Sequence, residues 1–302
     1  CEAGGYCKAT DDCGGGFTPC PAGRYNEKMG SSSPDACQKC PPGTSSPITG
    51  ANSSETCASC RAGTFGGEPG LSECTDCPAG RYQNDTGATS CRDCEKGRYC
   101  ANGASAPLPC DAGTYSDKTD LTAASQCTDA LPGHFATTGS TQQTACAKGS
   151  YAATGGLSEC ELCAGGTYQN DTGATSCRDC LPGHYCAEGA AAPLPCDGGS
   201  YSNATGLAAP DSCTACPAGH ACTTGSVEPT PCRAGSVALG LGNTVCGLCA
   251  AGYSQDQPAK ETCTRCKPGS FCLEGSSLEL GPPCDPGTYA NATDDDGDPD
   301  CF

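Results

Sequence analysis

The sequence predicts small disulfide-rich repeats, set in an elongated array with minimal β-hairpins and turns and no conventional hydrophobic core. Three observations carry that expectation. Cysteine fills 33 of 302 positions, the density of a secreted disulfide scaffold. Glycine and proline add 43 and 24 residues, which favours turns over long elements. The large apolar side chains are 15 Leu, 3 Val, 1 Ile and 5 Phe, with no Trp, too little to build one buried core. Cross-links are then the abundant means of offsetting chain entropy.

Charge narrows the partners. Lys and Arg number 16 against 34 Asp and Glu, a formal charge of -18. Phosphate backbones need clustered cations, so nucleic acid is excluded, as is electrostatic binding to anionic membranes. No apolar run approaches the ~18 residues of a membrane helix, so no transmembrane segment is expected in this chain. It opens on Cys1 and is read as a processed chain or a fragment, whose missing leader says nothing about secretion. Asn-x-Ser/Thr triplets stand at Asn52, Asn84, Asn170, Asn203 and Asn291. All lie in the long loops between cysteines, where N-linked glycans would sit on exposed backbone. With the cysteine content they point to an oxidising, extracellular setting.

The cysteines follow a grammar. A Cys-x-x-Gly-x-aromatic string leads through a polar stretch to Cys-x-x-Cys, as in Cys77-Pro-Ala-Gly-Arg-Tyr82 to Cys91-Arg-Asp-Cys94. The Gly marks a turn. The aromatic, from Tyr25 and Phe65 to Phe271 and Tyr289, is expected to pack on its own disulfide or on the next unit, as a miniature core. A ladder of exposed rings for ligand binding is the functional alternative. Strands of two to four residues are expected, and helical periodicity is absent.

A larger period of 86 residues carries Cys91, Cys94 and Cys100 onto Cys177, Cys180 and Cys186, then onto Cys263, Cys266 and Cys272. The chain therefore reads as a repeat array. It has an irregular N-terminal portion, 1–59, followed by blocks 60–145, 146–231 and 232–302, the last cut short.

Pairing cannot normally be read from spacing, but the period supplies a clue. Cys216 and Cys222 fall on Ala130 and Ala136 one period earlier, while the flanking text persists. A joint loss deletes one bond, whereas a single loss would strand a thiol. The expected pair is therefore Cys216 with Cys222. By position in the grammar, Cys94–Cys100, Cys180–Cys186 and Cys266–Cys272 follow. Pairing of neighbours gives long loops such as Cys77–Cys91, Cys163–Cys177 and Cys284–Cys301, with each Cys-x-x-Cys a junction between two bonds. The missing pair marks a more flexible joint. At the N-terminus either Cys1 pairs with Cys7, leaving Cys13 over, or Cys7 pairs with Cys13 and Cys1 bonds outside.

Other chemistries compete with this scaffold. Cys57-x2-Cys60-x13-Cys74-x2-Cys77 has the spacing of a four-thiolate zinc site, but the Cys74/Cys77 pair would have to serve two sites. Nine Cys-x-x-Cys pairs resemble redox motifs without the α/β framework that such motifs use. His134, His184 and His220 occupy one turn slot and make no catalytic constellation. No cofactor and no enzymatic activity are expected. The acidic run with Asp294, Asp296 and Asp298 is a weak Ca²⁺ candidate, set against a plain solvated loop.

The strings "CPAGRYQNDTGATSCRDC" and "CLPGHYCAEGAAAPLPCDGGSYS" resemble ephrin-receptor-like cysteine-rich repeats and, more distantly, growth-factor-receptor and tumour-necrosis-factor-receptor modules. The resemblance implies a surface receptor, an adhesion protein or a large secreted protein. The Ala/Gly/Thr-rich text is similar to algal surface proteins, among them the glycoproteins of flagellar hairs (mastigonemes). The reading it leads to is a structural, glycosylated segment of a large extracellular protein. It would be a disulfide-stapled rod, spacer or fibre subunit at a cell or flagellar surface, contacting copies of itself or companion chains. A ligand-binding or adhesion ectodomain is the alternative.

Overall fold

A computed structural model describes residues 1–8, 16–267 and 270–279 of the chain. Cys13, Cys284–Cys301, Tyr289, Asn291 and the acidic run with Asp294, Asp296 and Asp298 lie outside the described residues. The described residues form 15 two-stranded antiparallel sheets. The strands are two or three residues long, and the only helices among the described residues are four short 3-10 turns. This is a fold of small disulfide-rich repeats.

Each repeat is built the same way. In the Cys60 repeat, Thr64–Phe65 follows the turn and pairs with Thr75–Asp76. The second strand is thus the middle of Cys-x-x-Cys. The cysteine before it closes one disulfide, Cys60–Cys74, and the cysteine after it opens the next, Cys77–Cys91. Strands so short cannot stand alone in water, so the disulfide and the neighbouring repeats must hold them. The N-terminal portion uses the same plan, pairing Gly5–Cys7 with Phe17–Pro19.

Loop length sets local structure. Disulfides with a sequence separation of 17 close Cys20–Cys37, Cys40–Cys57, Cys110–Cys127 and Cys196–Cys213. These four loops hold the four 3-10 turns, Pro34–Ala36, Ser54–Thr56, Ala124–Gln126 and Pro210–Ser212, each just before the closing cysteine. Loops with a separation of 14, such as Cys77–Cys91 and Cys163–Cys177, have none. The added residues amount to one 3-10 turn. Ser33 and Ser53 cap two of these turns, accepting from the N–H of Asp35 and Glu55, as expected of an N-cap side chain.

The chain divides into two compact units, Cys1–Ala145 with Thr154–Glu159, and Cys146–Ala153 with Cys160–Phe302. In both, the buried set is mostly cysteine and small residues. Cys20, Cys40, Cys60 and Cys77 in the first unit, and Cys163, Cys180 and Cys196 in the second, are at most 1% exposed. The expected packing of an aromatic on the next unit is seen at Tyr168, while the other described rings are less enclosed. Tyr25, Phe65, Tyr82, Tyr99, Tyr185 and Tyr201 are only half-buried. The enclosed residue is the next one along, for example Cys100, Ala136, Ala152 or Cys186, each 0–1% exposed. Successive residues of a strand face opposite ways, so aromatic and follower cannot share a face, and the inner slot takes a small group or an amide side chain such as Gln83 or Gln169, 5% and 4% exposed. Among the described residues Tyr168 is the best buried ring, packed with Cys180 and Cys186 of the next disulfide and with Ala190.

Candidate functional site

The repeat-to-repeat junction is where the sequence grammar acquires a physical role. From the Cys60 repeat to the Cys77 repeat, the Gly63 N–H donates to the Gln83 carbonyl at 2.7 Å and the Gly66 N–H to the Ala88 carbonyl at 2.9 Å. In return the Gly87 N–H reaches the Cys60 carbonyl at 2.7 Å and the Cys77 N–H the Gly63 carbonyl at 2.9 Å. The second unit repeats the set from the Cys163 repeat to the Cys180 repeat through Gly166, Gln169, Gly189 and Cys180. All four bonds are backbone to backbone, so a junction survives side-chain change and its backbone groups are satisfied without a large core.

The glycine of Cys-x-x-Gly is required by geometry. Gly63 has φ +85°, and a methyl group there would collide with the Gly103 carbonyl oxygen, two repeats along. Positive φ and close backbone approach together leave room only for hydrogen. The loop-tip position is less strict, for Asp120 and Ala259 stand there at φ 62° and 59°.

The structure joins Cys94–Cys100, Cys180–Cys186, Cys216–Cys222 and Cys266–Cys272, each six residues apart. Cys77–Cys91, Cys163–Cys177 and Cys1–Cys7 are also joined. Ala130 and Ala136, at the slots without cysteine, are each 1% exposed. That repeat keeps its junction bonds: the Ala130 N–H donates to Gly113, Gly156 to Ala130, and Ala136 to Leu157. The cysteines with zinc-like spacing are all in disulfides, Cys57 with Cys40, Cys60 with Cys74 and Cys77 with Cys91. Among the described residues no group of three or more His, Cys, Asp or Glu side chains is placed to hold a metal ion. Nδ1 of His134, His184 and His220 lies 3.3, 2.9 and 3.0 Å from the carbonyl two residues before it. Each ring thus folds onto its own turn.

Asn52, Asn84, Asn170 and Asn203 are all exposed. Three share one slot, two residues after the aromatic, and two of those are held by the same bracket. Gln83 donates from Nε2 to the Ser90 carbonyl and accepts from the Asp85 N–H, and Asp85 pairs with Arg92 at 2.7 Å. Gln169, Ser176, Asp171 and Arg178 repeat this around Asn170. Sequence reasoning found the triplets but missed the bracket. Its signal was the 86-residue recurrence of the Gln and Arg that flank them.

Residues 52–94 and 149–192 match the family model described as tyrosine-protein kinase ephrin type A/B receptor-like. No curated protein matches the chain. Among the described residues no helix is long and apolar enough to cross a membrane. Hairpins locked by neighbouring disulfides occupy both matched stretches, which are thus similar in sequence and in build to ephrin-receptor-like cysteine-rich repeats, a disulfide-rich module of extracellular type.

Proposed function

We propose that the chain is a non-enzymatic structural segment of a large extracellular glycoprotein, a spacer or fibre subunit at a cell or flagellar surface of the mastigoneme kind. The observation that supports this most is the junction. The same backbone bonds recur between repeats of very different surface, so one repeat joins the next without depending on particular outward side chains. Exposed triplets at Asn52, Asn84, Asn170 and Asn203, with Asn291 beyond the described residues, would bear N-linked glycans. Copies of the chain or companion chains would be its partners. Electron microscopy of native material tests this reading: glycan-bearing particles in a regular array are expected, and isolated monomers without order would overturn it. A receptor or adhesion ectodomain is the second reading, favoured by the receptor-like match of residues 52–94 and 149–192. Binding of a soluble ligand by dispersed monomers would establish that reading instead.

A further inference from the structure

The loop closed by Cys232 and Cys246 departs from its two counterparts one and two periods earlier. In those, Leu71 and Leu157 follow the loop-tip glycine and are half-buried. Here that position is Asn243, whose Nδ2 donates to the carbonyls of Leu239 and Gly240 at 3.0 Å each. The apolar residues stand outside instead. Leu239, Leu241 and Val245 are 72%, 73% and 70% exposed, and Leu248 on the adjoining strand adds a fourth apolar side chain, 62% exposed as its counterpart Leu162 is at 59%. Four of the 19 Leu, Val and Ile residues of the chain thus fall within ten positions and face solvent. The carboxylates have gone as well. Glu68, Glu73 and Asp76 of the first copy correspond to Gly240, Val245 and Leu248 here, and no Asp or Glu lies between Glu228 and Asp256.

We propose that this loop is a self-association surface, which takes the same loop of a second copy of the chain. The proposal rests on the structural reading above and names its contact surface. A polar residue turned inward and apolar residues turned outward is an arrangement that water disfavours and a covering partner rewards. Charge selects the partner. Two copies of net charge -18 repel over most of their surface and approach at least cost where neither carries carboxylates. A cationic partner would be drawn to the acidic surface elsewhere. A patch meeting its own copy forms a two-fold contact. Its area is on the order of a few hundred Å², short of the roughly 800 Å² per partner of a standard interface. The contact is therefore weak for a lone pair and becomes durable when many copies are held together.

Sedimentation velocity of the whole chain over a concentration series, in low salt and in about 0.5 M salt where charge is screened, tests this. The sedimentation coefficient should rise with concentration, more steeply in high salt. The double variant Leu239→Asp/Leu241→Asp should weaken the association at least tenfold, as should Leu248→Glu. Leu131→Asp, at a site 57% exposed in another repeat, should leave it unchanged. Peptide mapping of the Cys232–Cys246 bond confirms that each variant has folded. A wild-type chain monomeric under every condition, or variants that associate as well as wild type, would overturn the proposal. Ordered native arrays beside indifferent variants would leave the structural role standing and remove this surface. Disordered native material would remove the role itself.

Discussion

Ser46 is fully buried and its hydroxyl finds no hydrogen-bond partner. The equivalent slots hold Ala136, Ala152 and Ala238, at most 2% exposed. An unsatisfied buried hydroxyl carries a desolvation cost with no return. Ser46→Ala should therefore stabilise its repeat by roughly 1 kcal/mol, seen as slower local hydrogen exchange. Gly63→Ala should act oppositely. The clash with Gly103 and the left-handed φ should cost about 1–3 kcal/mol and speed exchange in the Cys60 and Cys77 repeats. Glu27 gives a pH signature. Its carboxylate accepts from the Ser54 N–H at 2.9 Å, and that bond holds its pKa below the ordinary value. A lowered folded pKa means that the contribution is present above the unfolded value and is lost as pH falls through the folded one. The Ser54–Thr56 turn should fray in that acid window, and Glu27→Gln should remove the pH dependence. Amide exchange at Ser54 checks both, and the effect is small because Glu27 is solvent-exposed.

At the scale of the element, the repeat from Ala130 to Ala145 is the informative one. It keeps its hairpin, His134–Phe135 with Thr144–Ala145, and its junction bonds, with no disulfide of its own. Backbone pairing and two buried alanines are thus sufficient for the shape, while the cross-link adds resistance to opening. Its counterpart, Cys216–Cys222, spans 5.8 Å between Cα atoms, within disulfide range. Ala130→Cys with Ala136→Cys should form a further bond, add roughly 2 kcal/mol by the loop-entropy model and slow proteolysis between residues 130 and 145. Persistent free thiols in the double variant would show that the slot is shaped differently.

For the molecule as a whole, the disulfides replace the core. Each loop with a separation of 14 is worth roughly 3 kcal/mol in the chain-entropy model, and the buried residues around it are mostly cysteine, alanine and serine. Reduction should therefore abolish the fold outright and leave no collapsed intermediate. Scattering should report a large increase in radius, whereas survival of the hairpins by circular dichroism would contradict a disulfide-held fold. Enzymatic glycan removal from native material should shift mass at Asn84, Asn170 and Asn203 together, since each occupies the same slot two residues after its aromatic.

Much of this was legible in the sequence because cysteine spacing is a covalent constraint printed along the chain. The fold class, the hairpin after each Cys-x-x-Gly and the role of Cys-x-x-Cys as a junction all follow from local patterns. What the sequence could not supply was anything that depends on two repeats meeting. The collision that demands Gly63 comes from Gly103, two repeats away. The inner slot passes from the aromatic to the residue after it because the next repeat encloses that face. The 3-10 turns need the closed length of their loops. The loop around Leu239 reads as ordinary small and apolar text until Asn243 is seen turned in and the leucines out. Sequence by itself determined the covalent framework, since spacing along the chain is a one-dimensional property. Only the tertiary structure decided which side chains that framework buries and which it presents, because burial depends on neighbours that the chain brings together only by folding.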